Sequence, residues 1–98
     1  IFVEMRKAAA VAVIRNRRDA FAAEHHRGQL RFRLRGEMLL AMNRPREAQA
    51  AFARSLAMQP GRLLSLRGLA AAARAAGDVE VATRAEGQLP PGMRLGGE

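Results

Sequence analysis

An all-α fold is predicted for this 98-residue chain by three observations. Hydrophobic residues are 49% of the chain and many are alanine, the best intrinsic helix former, while aromatic residues are only 4%. Apolar residues recur at helical spacing over most of the length. One pattern of small and bulky residues also occurs twice in register: Gly36, Ala48 and Phe52 are followed by Ala70, Ala82 and Glu86, each 34 residues on. A fixed period of this size marks stacked helical units rather than a single closed core.

The segment from Phe2 to His26 contains neither proline nor glycine, so helix is the default, with Met5, Ala9, Ala12, Val13 and Phe21 at helical spacing. One helix is the preferred reading; the polar run Arg15–Asp19 is otherwise a turn between two short ones. Asn16-Arg17-Arg18-Asp19-Ala20 echoes Asn43-Arg44-Pro45-Arg46-Glu47-Ala48 with one residue fewer, which makes this segment readable as a degenerate repeat. Gly28 is expected to end it, because glycine accepts the left-handed backbone that closes helices. Leu30 to Arg35 alternates strictly, a strand signal on its own. No second strand is available to pair with it and Gly36 to Met42 is spaced as a helix, so helix is chosen.

Asn43-Arg44 is a turn, and Pro45 stands where its missing donor costs nothing and its fixed φ helps a helix begin. That helix runs from about Pro45 to Met58, with Ala48, Ala51, Phe52, Ser55 and Leu56 inward, and Pro60-Gly61 stop it. The next runs from about Arg62 to Ala76, with Leu63, Leu66, Leu69, Ala70 and Ala73 on one stripe. Gly77 turns the chain and Asp78 caps the last helix, Val79 to about Gln88, which carries Val81, Ala82, Ala85 and Leu89. Pro90, Pro91 and Gly92 end ordered structure, leaving a mobile tail.

A chain this short holds one small domain. The formal net charge is +8, and of 17 basic residues only Lys7 is not arginine. Such a field attracts acidic peptides, nucleic acid or anionic surfaces without choosing among them. Cysteine is absent, which removes disulfides, thiolate metal sites and cysteine nucleophiles together. No apolar run approaches the length that spans a bilayer. The run Ala8 to Ile14, after Arg6 and Lys7, has the length of a signal peptide's apolar region, but Arg15, Asn16, Arg17 and Arg18 follow where a small-residue cleavage site belongs. A start at Ile1 suggests a segment of something longer, and a cytoplasmic setting is favoured.

The repeated segment resembles the tetratricopeptide repeat (TPR) family, whose unit is two antiparallel helices joined by a tight turn. The copy over 29–61 carries the family's small residue at Gly36, bulky residue at Leu39, alanine at Ala48, aromatic at Phe52, small residue at Ser55 and terminal proline at Pro60. The copy over 62–89 keeps Leu69, Ala70, the Gly77-Asp78 turn and Ala82, but has Glu86 in place of the aromatic and no closing proline. Residues 1–28 and 90–98 lie outside the resemblance. It implies a short right-handed helical-hairpin solenoid of about five helices and a non-catalytic protein-binding scaffold. Gly36 and Ala48 would let paired helices approach, with Phe52 filling the gap to the next repeat.

The resemblance also implies a groove lined by the first helix of each repeat. Its candidates are Leu30, Arg33, Glu37 and Leu40 in one copy and Leu64, Arg67, Ala71 and Arg74 in the other. Arg33 and Arg67 fall at equivalent positions and would form a basic line for an acidic segment or a terminal carboxylate. The plainer reading is solvated surface, with Arg33 and Glu37 an i,i+4 pair. The amides of chaperone-binding members are replaced by Glu37 and Ala71, which argues against that specialised role.

His25-His26 point about 100° apart on a helix and make a poor metal pair. Ser55, Ser65 and Thr83 have no base and orienting partner in the sequence, so catalysis, cofactors and metals are not expected. Non-specific nucleic-acid binding through the arginines is the alternative function, without the interleaved aromatics that usually accompany it. With only two good repeats and no polar capping helix, the face around Val81, Ala85 and Leu89 should be exposed in a monomer, which predicts dimerisation or flanking repeats.

Overall fold

The computed structural model describes residues 2–94, with side chains over residues 17–94. It is all-helical, with no strand among the described residues. The order is α1 (Phe2–Ala41), α2 (Pro45–Met58), α3 (Leu63–Ala76), α4 (Val79–Gly87) and a 3-10 turn, Pro91–Met93. Each α-helix packs against the next, and α1 also touches α3 directly.

The expected break at Gly28 does not occur: α1 is one helix of 40 residues, so the described residues hold four α-helices rather than five. Glycine inside a helix costs about 1 kcal/mol relative to alanine. Here it is used for close approach. A Cβ on Gly28 would lie 2.6 Å from Met58 Sδ, at the end of α2, and one on Gly36 would lie 2.8 Å from the Phe52 ring. Gly36 lets α2 lie against α1 because its neighbour is a buried ring, whereas at Gly28 the neighbour is the flexible end of Met58; neither glycine turns the chain. Towards its N-terminus α1 extends past the end of α2, and the molecule measures 64 × 27 × 18 Å. Residues 17–22 are exposed. Met5, Ala9, Ala12 and Val13 lie outside the described side chains.

The other boundaries follow their local chemistry. Pro45 opens α2 and Gly61, at φ 82°, separates α2 from α3. Asn43, at φ 61°, closes α1: its N–H donates to Leu40 O at 3.0 Å, and the next N–H, of Arg44, donates to Leu39 O at 2.9 Å. Gly77, at φ 84°, closes α3 in the same way, with its own N–H on Arg74 O at 3.2 Å and Asp78 N–H on Ala73 O at 2.8 Å. This paired-bond closure satisfies carbonyls the helix leaves open. Asp78 then caps α4, its Oδ1 accepting from Val81 N at 3.2 Å.

The core is Ala48, Ala51 and Phe52 of α2, Leu66, Ala70, Ala72 and Ala73 of α3, and Ala82, Ala85 and Leu89 at the end of the bundle. Leu39, Leu40 and Leu69 pack on it half-buried. Leu63, expected on the inward stripe of α3, is exposed. Ala85 and Leu89, expected on an open face, are each 2% exposed, and Val81 is half-buried. The open apolar residue of α4 is Val79 instead. Leu89 is buried because the chain does not fray after α4: Leu89 N–H bonds Glu86 O, Arg94 Nε donates to Leu89 O at 3.2 Å, and Pro91–Met93 form a turn. Residues 91–93 thus form a turn where Pro90, Pro91 and Gly92 are expected to end ordered structure, and residues 95–98 lie outside the described ones.

Candidate functional site

The groove candidates sit on α1 and α3, which are the helices in direct contact across the fold. Between them lies a depression of about 340 Å³ lined by Gln29, Arg33, Gly61, Arg62, Leu63 and Leu64. Its rim is set by the turn into α3. Gly61 lets the chain reverse, and Arg62, the residue before α3, donates through Nη2 to His26 Nδ1 on α1 at 3.3 Å.

Arg33 does not point freely into this depression, because its Nη1 donates to Glu37 Oε1 at 2.9 Å. That is the i,i+4 pair expected of a surface helix, although the Arg33 side chain is largely covered. Leu30 is half-buried and Leu40 packs inward against the core. On α3, Leu64 and Arg67 are exposed and Ala71 is half-buried. Arg67 makes no ion pair among the described residues. Arg74 is engaged elsewhere, with Glu86 of α4. The face thus brings His26, Arg33, Arg62 and Arg67 to adjacent helices, while Leu40 and Arg74 are tied into packing and pairing.

The structural repeat positions are explained by contact. Phe52 is fully buried between Gly36 of α1 and Gly68 of α3, both so close that an added methyl would overlap its ring. From α3, Gly68 faces the Phe52 ring, Ala72 and half-buried Leu69 pack in the same cluster, and Ala70 is buried in the core. At the equivalent place 34 residues on, Glu86 takes the position of Phe52 and Arg74 that of Leu40, so an ion pair replaces an apolar contact. Pro60 is exposed beside Gly61 in the α2–α3 turn, and Ala48 and Ala82 are buried on α2 and α4.

Sequence reasoning missed Gln29. It is 1% exposed and holds a polar knot inside the bundle: Ser55 Oγ donates to Gln29 O at 2.8 Å and lies 3.3 Å from Gln29 Oε1. Ser65 Oγ is 2.8 Å from Ser55 Oγ. One pattern satisfies the group, with Ser65 donating to Ser55 and Ser55 to the Gln29 carbonyl. Three helices are joined by it, and no buried side-chain N or O atom among the described residues lacks a partner. The available signal was spacing, since Gln29 lies seven residues before Gly36 on the same helical face.

The hydroxyls of Ser55 and Ser65 are therefore sealed in packing. His25 stacks on Phe21 with ring centroids 4.1 Å apart, and the described residues hold no cluster of three metal-ligating side chains. Among the described residues one acid is perturbed: Asp78 is held below the usual carboxylate range by the Gln49 amide, which donates to its Oδ2 at 2.9 Å, then by Val81 N–H. No described helix is long and apolar enough to cross a membrane. No known protein family, curated protein or solved structure matches the chain.

Proposed function

We propose that the chain is a non-catalytic protein-binding scaffold of TPR type, a short right-handed solenoid that receives an extended acidic segment along the α1–α3 face. The observation that carries this reading is the recurrence of one turn at the repeat spacing. Asn43 and Gly77, 34 residues apart, close α1 and α3, alternate helices of the chain, in left-handed backbone with the same two hydrogen bonds. A period expressed in backbone geometry supports stacked units, and stacked units present their first helices side by side. The face so formed carries Arg62 and Arg67, which have no carboxylate partner among the described residues, beside the Arg33–Glu37 pair. Guanidinium groups there would meet carboxylates with charge-assisted, two-pronged hydrogen bonds.

The test uses a labelled peptide of alternating glutamate and serine, about ten residues long, with duplex DNA as competitor. Arg62→Glu with Arg67→Glu should weaken peptide binding about tenfold or more with an unchanged melt, whereas Arg46→Glu with Arg84→Glu, equal in charge and away from the face, should not. Equal losses in both variants would contradict a defined face. DNA that displaces the peptide with a steep salt dependence would instead favour a nucleic-acid partner.

A further inference from the structure

The outer face of α1 carries an apolar ladder with nothing over it. Leu34, Met38 and Met42, at successive steps of four, are 46%, 65% and 59% exposed. Leu39 lies half-buried beside them, and Arg31 and Arg35 border a shallow depression of about 420 Å³ along this ladder. Through Arg35 and Leu39 it runs into a cleft of about 310 Å³ between α1 and α2. That cleft is walled by Arg44 and by Arg54, whose guanidinium stacks 4.8 Å from the Phe32 ring centroid. Glu47 is the one carboxylate among the residues of either depression, and it lies 3.3 Å from Arg44.

We propose that this outer face is a docking surface for an acidic amphipathic helix of a partner protein, separate from the α1–α3 face. Charge selects the partner. A second copy of this chain, itself +8, would set arginines against arginines, whereas a helix with aspartate or glutamate beside its apolar stripe meets Arg31, Arg35 and Arg54 with opposite charge. The ladder selects its form: Leu34, Met38 and Met42 at steps of four make a ridge along the helix axis, which fits the groove between the side-chain rows of a partner helix. Methionine suits the task because its unbranched, polarizable side chain adapts to the ridge laid on it.

The probe is a labelled helical peptide of about sixteen residues with leucine at steps of three and four flanked by glutamate, and its scrambled counterpart of identical composition. The ordered peptide should bind the full chain and the scrambled one at least about tenfold more weakly. Met38→Lys keeps the attraction for acid but removes the apolar contact, so it should weaken the ordered peptide by a similar factor, as should Arg35→Glu. Arg67→Glu should leave that binding unchanged, which separates this surface from the groove. Because these side chains are exposed, the thermal melts should coincide with that of the parent chain. The proposal is overturned by equal binding of both peptides, by Met38→Lys without effect, or by no binding at all. Sedimentation showing a dimer of the parent chain that Met38→Lys dissociates would assign the face to a second copy and overturn it too.

Discussion

Phe52 is pressed against Gly68 so tightly that the glycine has no room for a single added carbon. With Gly36 on its other side, the ring is held between α1 and α3, the two helices that carry the candidate groove. The same contact therefore sets the core and the spacing of the α1–α3 face. Interiors packed to crystal-like density transmit such constraints directly.

The polar knot of Gln29, Ser55 and Ser65 should behave as one unit. Ser55→Ala removes the shared hydroxyl, leaving Ser65 Oγ without its acceptor and the Gln29 main-chain carbonyl without its hydroxyl donor, at a cost of about 1–3 kcal/mol in denaturant unfolding. Adding Ser65→Ala should cost less than its separate effect, since its partner is already lost. Additive losses would mean that the two hydroxyls are independent.

Asp78 should give the stability of the chain an acid limb. A carboxyl whose folded pKa lies below its unfolded value stabilises the fold where it is ionised in both states. That contribution is complete above its ordinary 3.8 and is lost as the pH falls through the depressed folded value. Asp78→Ala should lower Tm near neutral pH, with the gap to the parent chain closing on acidification below that range. Asp78→Asn keeps a capping oxygen and should show a smaller gap at neutral pH.

The Arg74–Glu86 pair, standing where the first copy has Leu40 and Phe52, should contribute little. Arg74 is more than half exposed, so Glu86→Ala should change stability by no more than about 1 kcal/mol, and less at high salt. A larger, salt-independent loss would show that Glu86 acts through packing rather than charge.

What could be read from the chain and what could not divide along a physical line. Pro45, Pro60-Gly61 and Gly77-Asp78 act within a few residues, so α2, α3 and α4 were placed nearly to the residue. Gly28 obeys no local rule: whether a glycine ends a helix or admits a neighbour depends on Met58, thirty positions away. Gln29 was hidden for the same reason, as its burial rests on hydroxyls from two other helices. The alternation from Leu30 to Arg35 held a further clue. Wound into a helix it puts apolar residues on more than one side, so Leu34 had to be left outside. Of the groove, Arg33 with Glu37 was legible from i,i+4 spacing, whereas Arg74 was drawn away by Glu86 and His26 and Arg62 were brought in by the turn at Gly61.

The nesting of helices at glycines is tested most directly by comparing the unfolding free energies of Gly68→Ala and Gly28→Ala. Each replacement raises helix propensity by about 1 kcal/mol, and the neighbours decide the sign. Gly68→Ala drives a methyl into a buried ring that has nowhere to move, and should destabilise by about 1–3 kcal/mol net. Gly28→Ala meets only the far end of the flexible Met58 side chain, and should be neutral or stabilising. Gly68→Ala as stable as the parent chain, or Gly28→Ala as damaging as Gly68→Ala, would contradict the account.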